Sequence, residues 1–105
     1  MTNGEQTIMQ QAYEHYGKQT QIIVCIEELS ELTKELTKHL RDSETSLNGI
    51  TEEVADVSIV LDEIKMIFGI HSGVESIRAE KLKRLQCRIN NEKLHGRGKG
   101  GTQIR

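Results

Sequence analysis

Nine of the sixteen acidic residues in this 105-residue chain fall in two short windows, Glu27, Glu28, Glu31 and Glu35 in one and Glu52, Glu53, Asp56, Asp62 and Glu63 in the other. A solvated helix face usually sets Glu four residues before Lys or Arg. Here the i,i+4 pairs Glu27–Glu31, Glu31–Glu35 and Glu52–Asp56 join like charges, which repel by about 0.2–0.5 kcal/mol each. The chain does make an ordinary pair elsewhere, Glu80 with Arg84, so the clustering asks for a cause, the plain alternative being a solvated acidic face. Glu28 with Glu31 and Glu53 with Asp56 are i,i+3 pairs, which places their Cβ atoms about 5–6 Å apart on one helix face. Two antiparallel helices packed about 8–10 Å apart can aim both pairs at one point. Four converging carboxylates with no histidine among them suit a hard divalent cation, Mg²⁺ with Mn²⁺ as a substitute, which fills its shell with carboxylates, waters and substrate phosphates.

The run Glu27-Glu28-Leu29-Ser30-Glu31, followed after 21 intervening residues by Glu53-Val54-Ala55-Asp56, resembles the Glu-Glu-x-x-Glu and Glu-x-x-Asp motifs of the MazG-like all-α nucleoside triphosphate pyrophosphohydrolases. The resemblance covers about residues 10–90. It implies Mg²⁺-dependent cleavage between the α- and β-phosphates of a nucleoside triphosphate, giving the monophosphate and pyrophosphate, with Glu28, Glu31, Glu53 and Asp56 as metal ligands. It also implies assembly as a homodimer or homotetramer. Beside these ligands, Glu27 either orients and deprotonates the attacking water or is a plain surface acid. Lys81 and Arg84, one turn apart, are candidates for binding the substrate phosphates, with Lys34 and Lys38 as helpers; their alternative is a solvated basic face. Tyr13, His15, Tyr16 and Phe68 are the side chains available to stack on a base, although large side chains on helices are more often spent on core or rim packing. No histidine follows a glutamate by three residues, so the Glu-x-x-His pairs of di-iron bundles are missing.

The elements that must carry these residues are helices. Glycines at 17, 49, 69 and 73 punctuate the chain, and apolar residues recur between them at helical spacing. The pattern predicts helices over about Gln6–Tyr16 and Lys18–Leu40, a third opening after Thr51 as N-cap, and a fourth from the capping-box pattern Ser72-Gly-Val-Glu75 to about Lys93. Ile22, Ile26, Leu29, Leu36 and Leu40 on the second, and Val54, Val57, Leu61, Ile64 and Phe68 on the third, form the stripes expected to face a common core. Ile23, Val24, Ile59, Val60 and Ile67 then lie outside and call for a second copy. The expected architecture is an antiparallel bundle of about four helices forming one domain over residues 1–94. The remainder, 95–105, reads as a flexible basic Gly-rich tail.

Composition agrees with this class. With 3% aromatic residues, no proline and no tryptophan, the chain is depleted in sheet formers and excludes proline-rich fibres. The longest apolar run, residues 22–26, is too short to span a membrane. Cys25 and Cys87 give no disulfide framework and are expected as reduced core residues of a cytoplasmic protein, and the N-terminus lacks the pattern of a secretory signal. The net charge of −2 conceals segregation: residues 1–77 hold 14 acids and 5 bases, a charge of −9, and residues 78–105 hold 9 bases and 2 acids, a charge of +7. That basic segment supports a rival reading, a non-catalytic helical oligomer that binds nucleic acid through its C-terminal helix and tail. The absence of a helix-turn-helix or an aromatic-rich RNA motif disfavours nucleic acid as the partner.

Overall fold

The computed structural model describes residues 1–42 and 46–95, which form four α-helices and no strand: α1 Asn3–Tyr16, α2 Lys18–Arg41, α3 Asn48–Phe68 and α4 His71–Leu94. None is long and apolar enough to cross a membrane. The expected tail, apart from His95, lies outside the described residues.

Local chemistry explains the boundaries. The Thr2 hydroxyl accepts from the Glu5 amide at 3.1 Å and the Glu5 carboxylate accepts from the Thr2 amide at 2.9 Å. This capping box starts α1 at Asn3 rather than at Gln6, because two free donors of its first turn are satisfied. One residue, Gly17, separates α1 from α2, with φ 88° and ψ 163°, a conformation barred to residues with a Cβ. In α3 the helix is already under way at Thr51, whose hydroxyl donates to the Leu47 carbonyl at 2.9 Å, so Thr51 lies inside the first turn and not at the cap. Gly69 ends α3 in the left-handed conformation. Helix α4 opens at His71 after Ile70, with no side-chain cap; the Ser72–Glu75 pattern falls just inside it.

The chain divides into two compact units, Met1–Gly69 and Ile70–Arg105. In the first, α1 packs on α2, and α2 and α3 form the main contact of the unit. They run antiparallel in heptad layers: Gln21 meets Glu63, Glu28 meets Asp56, and the Glu35 carboxylate lies over Gly49. Each advance of seven residues along α2 is matched by seven back along α3, the repeat of a coiled-coil seam. The seam is drawn from residues 21, 25, 28, 32, 35 and 39 of α2 and 49, 53, 56, 60, 63 and 67 of α3, all buried or half-buried except Asp56.

This reverses part of the expected packing. Val60 is buried and Ile67 half-buried on the seam, whereas Ile26, Leu29, Leu36, Leu40, Val54, Leu61 and Phe68 are exposed. A two-helix hairpin closes on one stripe of each helix. It closes here where Gly49 lets the partner side chain come close and where Gln21 and Glu63 satisfy one another. Met9, Cys25, Val57 and Val60 complete the small core. Cys87, expected in a core, is exposed on α4, a helix with no buried residue.

Candidate metal centre

Glu28, Glu53 and Asp56 converge on the α2–α3 seam, each offering a carboxylate oxygen, with all three oxygens within 4.8 Å of one another. The heptad register produces this convergence. Glu28 and Asp56 share a layer, and Glu53, one turn before Asp56, leans over the same point from α3. Glu28 and Glu53 are half-buried and Asp56 is exposed, so the centre is open to solvent on one side.

Three carboxylates this close repel one another. Partial desolvation, then the charges of Asp56 and Glu53, push the Glu28 carboxyl above the usual carboxylate range, and hydrogen bonds to both neighbours favour its protonated form. A proton on Glu28 thus relieves the cluster in part; a divalent cation would relieve all three groups. Glu53 adds a second indication, since its Oε2 is sequestered from solvent and has no hydrogen-bond partner. A sequestered, unpaired carboxylate oxygen costs free energy unless something positive meets it. Hard oxygen donors in this number fit Mg²⁺ or Mn²⁺, which leave further coordination positions to water and phosphate.

The remaining candidates are distributed differently. Glu31 is exposed and lies outside this group of three; the helical twist carries it off the seam from Glu28. Glu27 is also exposed, next to Glu28 on α2, as are Lys34 and Lys38 further along that helix. On α4, Lys81 is half-buried, and Arg84 pairs with Glu80 at 3.6 Å on an exposed face. Among the stacking candidates, Lys18 lies over the Phe68 ring at 5.0 Å, and the His15 and Tyr16 rings meet edge to face at 4.6 Å.

Two polar contacts on the seam escaped the sequence reading, Gln21 with Glu63 and Glu35 with Gly49. The spacing 21, 28, 35 against 49, 56, 63 carried their signal, visible only once the two helices are paired. Comparison with family models, with curated proteins and with solved structures finds no match to this chain.

Proposed function

We propose that the chain is a divalent-cation-dependent nucleoside triphosphate pyrophosphohydrolase with an antiparallel, MazG-like helical arrangement. The observation that carries the reading is the convergence of Glu28, Glu53 and Asp56, three of the four positions where the sequence motifs place ligands, with Oε2 of Glu53 sequestered and without a hydrogen-bond partner. Glu28, Glu53 and Asp56 would hold the cation, with Glu31 as an outer contributor. When bound, the cation supplies charge neutralisation for the triphosphate and acidifies a water.

In this mechanism Glu27, adjacent to a ligand and exposed, accepts the proton of the attacking water. The water oxygen bonds to the α-phosphorus as the bond to the α,β-bridging oxygen breaks, and pyrophosphate leaves with that electron pair. The products are the monophosphate and pyrophosphate, with one water consumed. Lys34 and Lys38, on the same helix as Glu28, are assigned to the phosphates as N–H donors, and the sequence's further candidates for that role, Lys81 and Arg84, are tested by substitution.

The decisive assay is pyrophosphate release from nucleoside triphosphates with and without Mg²⁺ or Mn²⁺. Release that requires the cation, and a loss of about 10²-fold or more in kcat/KM for Asp56→Asn, is the expected result. No release from any triphosphate, together with metal-independent, salt-steep retention of DNA or RNA, would replace this reading with the nucleic-acid one.

A further inference from the structure

Helix α3 carries two of the three groups of the metal centre, yet little in its own sequence fixes its start. Its N-cap position is Leu47, no side chain caps it and no acid lies in its first turn. The Asn48 amide takes the Ser46 hydroxyl at 3.2 Å, and the positive end of the helix dipole beyond it is left to other groups. We infer that Glu35, reaching across from α2, supplies the missing negative charge and is a positioning residue for the metal centre: it holds the start of α3 so that Glu53 and Asp56 stand over Glu28 before a cation arrives.

Gly49 supplies the geometric evidence. Among the described residues the glycines with positive φ are Gly17 and Gly69, so Gly49 is ordinary helix and its conformational freedom goes unused. In such a position glycine is less favourable than alanine. What it gives there is room: a Cβ at residue 49 would stand 2.6 Å from Oε2 and 3.4 Å from Oε1 of Glu35. The half-buried Glu35 carboxylate therefore lies against the first turn of α3, where a negative charge meets the positive end of the helix. Gly49, Glu53 and Asp56 follow at steps of four and three residues and share one stripe, so a contact made at Gly49 sets the rotation of both ligands. The need for a holder comes from the centre itself. Glu28 repels Glu53 and Asp56, and a helix end opens easily where few contacts hold it, so without cation this repulsion favours opening the hairpin where α3 begins. Gln21 with Glu63 closes the seam one heptad to one side of Glu28, and Glu35 closes it one heptad to the other. The inference rests on the metal-centre reading and adds to it a group that no motif residue supplies.

Titration of the full chain with Mn²⁺, read from the paramagnetic resonance of the free ion, tests it in Glu35→Gln and Gly49→Ala, with amide hydrogen exchange of the metal-free chains as the second readout. Glu35→Gln keeps the shape of the side chain and removes its charge. Gly49→Ala leaves every charge in place and favours helix, so a loss of affinity there comes from displacing the carboxylate and not from a lost charge. Both variants should bind Mn²⁺ about tenfold more weakly than the wild type, and the double variant no more weakly than Glu35→Gln alone, because the two changes break one contact. Amides in the first two turns of α3 should exchange faster in Glu35→Gln while those of α2 and the rest of α3 keep their protection. Wild-type affinity in either variant overturns the inference alone, and so does weaker binding in Glu35→Gln with unchanged exchange, which would make Glu35 a distant charge. If Glu35→Gln fails to fold, the affinity of Gly49→Ala still decides. A wild type that binds no Mn²⁺ overturns the metal-centre reading and this inference together.

Discussion

Gln21 donates its side-chain amide to the Glu63 carboxylate across the α2–α3 seam, and the two are the buried polar side chains of the described residues. Burial raises the Glu63 carboxyl and the Gln21 bond pulls it back, leaving a net upward shift. A carboxyl raised on folding holds more protons in the folded than in the unfolded state. Its contribution to stability is therefore greatest below the ordinary carboxylate range and is lost as pH rises through the raised value.

Glu63→Gln keeps the size of the side chain and an acceptor for Gln21 while removing the charge. It should raise Tm at pH 7–8 and change it little near pH 4, flattening the pH dependence of the melt. A shift of several degrees is expected, since about 1 kcal/mol moves Tm by roughly 4–8 °C in a domain of this size. Thermal melts from pH 4 to 8 check this; equal shifts at both ends would mean that charge is not the cause.

Mg²⁺ or Mn²⁺ at millimolar concentration should raise the wild-type Tm, because a ligand bound by the folded state alone stabilises it. Glu53→Gln should be at least as stable as the wild type without cation, since it removes one of three crowded charges, and should gain less from cation. Melts with and without metal read both effects without any activity assay. A Glu53→Gln chain that responds fully to metal would place the ion elsewhere.

Lys81→Ala and Arg84→Ala should lower triphosphate turnover about tenfold or more while leaving the cation-induced rise in Tm unchanged. Loss of the exposed Glu80–Arg84 pair costs at most about 1 kcal/mol, so stability should barely move. Unchanged kinetics in both variants would return these residues to the solvated surface.

The two cysteines should separate cleanly in a thiol assay. Cys87 is exposed, whereas Cys25 is buried, and burial and then the Glu63 charge push its thiol up. Reaction with an aromatic disulfide reagent at pH 8 should therefore be rapid at one thiol in the native chain and at both in denaturant. Cys87→Ser should abolish the rapid phase.

The helices were legible in the sequence because they depend on local signals. Gly17 and Gly69 stand where the chain leaves helical geometry, whereas the capping box of Thr2 with Glu5 starts α1 three residues before the apolar periodicity does. The convergence of Glu28 with Glu53 and Asp56 was legible as well, since the i,i+3 spacing and the antiparallel connection both point to it. The choice of seam was not. Periodicity ranks stripes by apolarity, and on that scale Leu29 and Leu61 outrank Gln21, Glu63 and Gly49. A polar stripe can win only when its members satisfy each other across the interface, and that information belongs to the pair of helices rather than to either one.

The layered polar contacts also act as a check on alignment. If α3 slid by one heptad in one direction, Glu28 would face Glu63 and Glu35 would face Asp56, setting carboxylate against carboxylate inside the hairpin. Sliding the other way would take Glu63 past the start of α2 and leave it without Gln21. An apolar seam of uniform leucines would tolerate either slip at little cost, whereas these unlike layers admit one alignment. A deletion or insertion of a single residue between Gln21 and Glu28 should therefore break the hairpin.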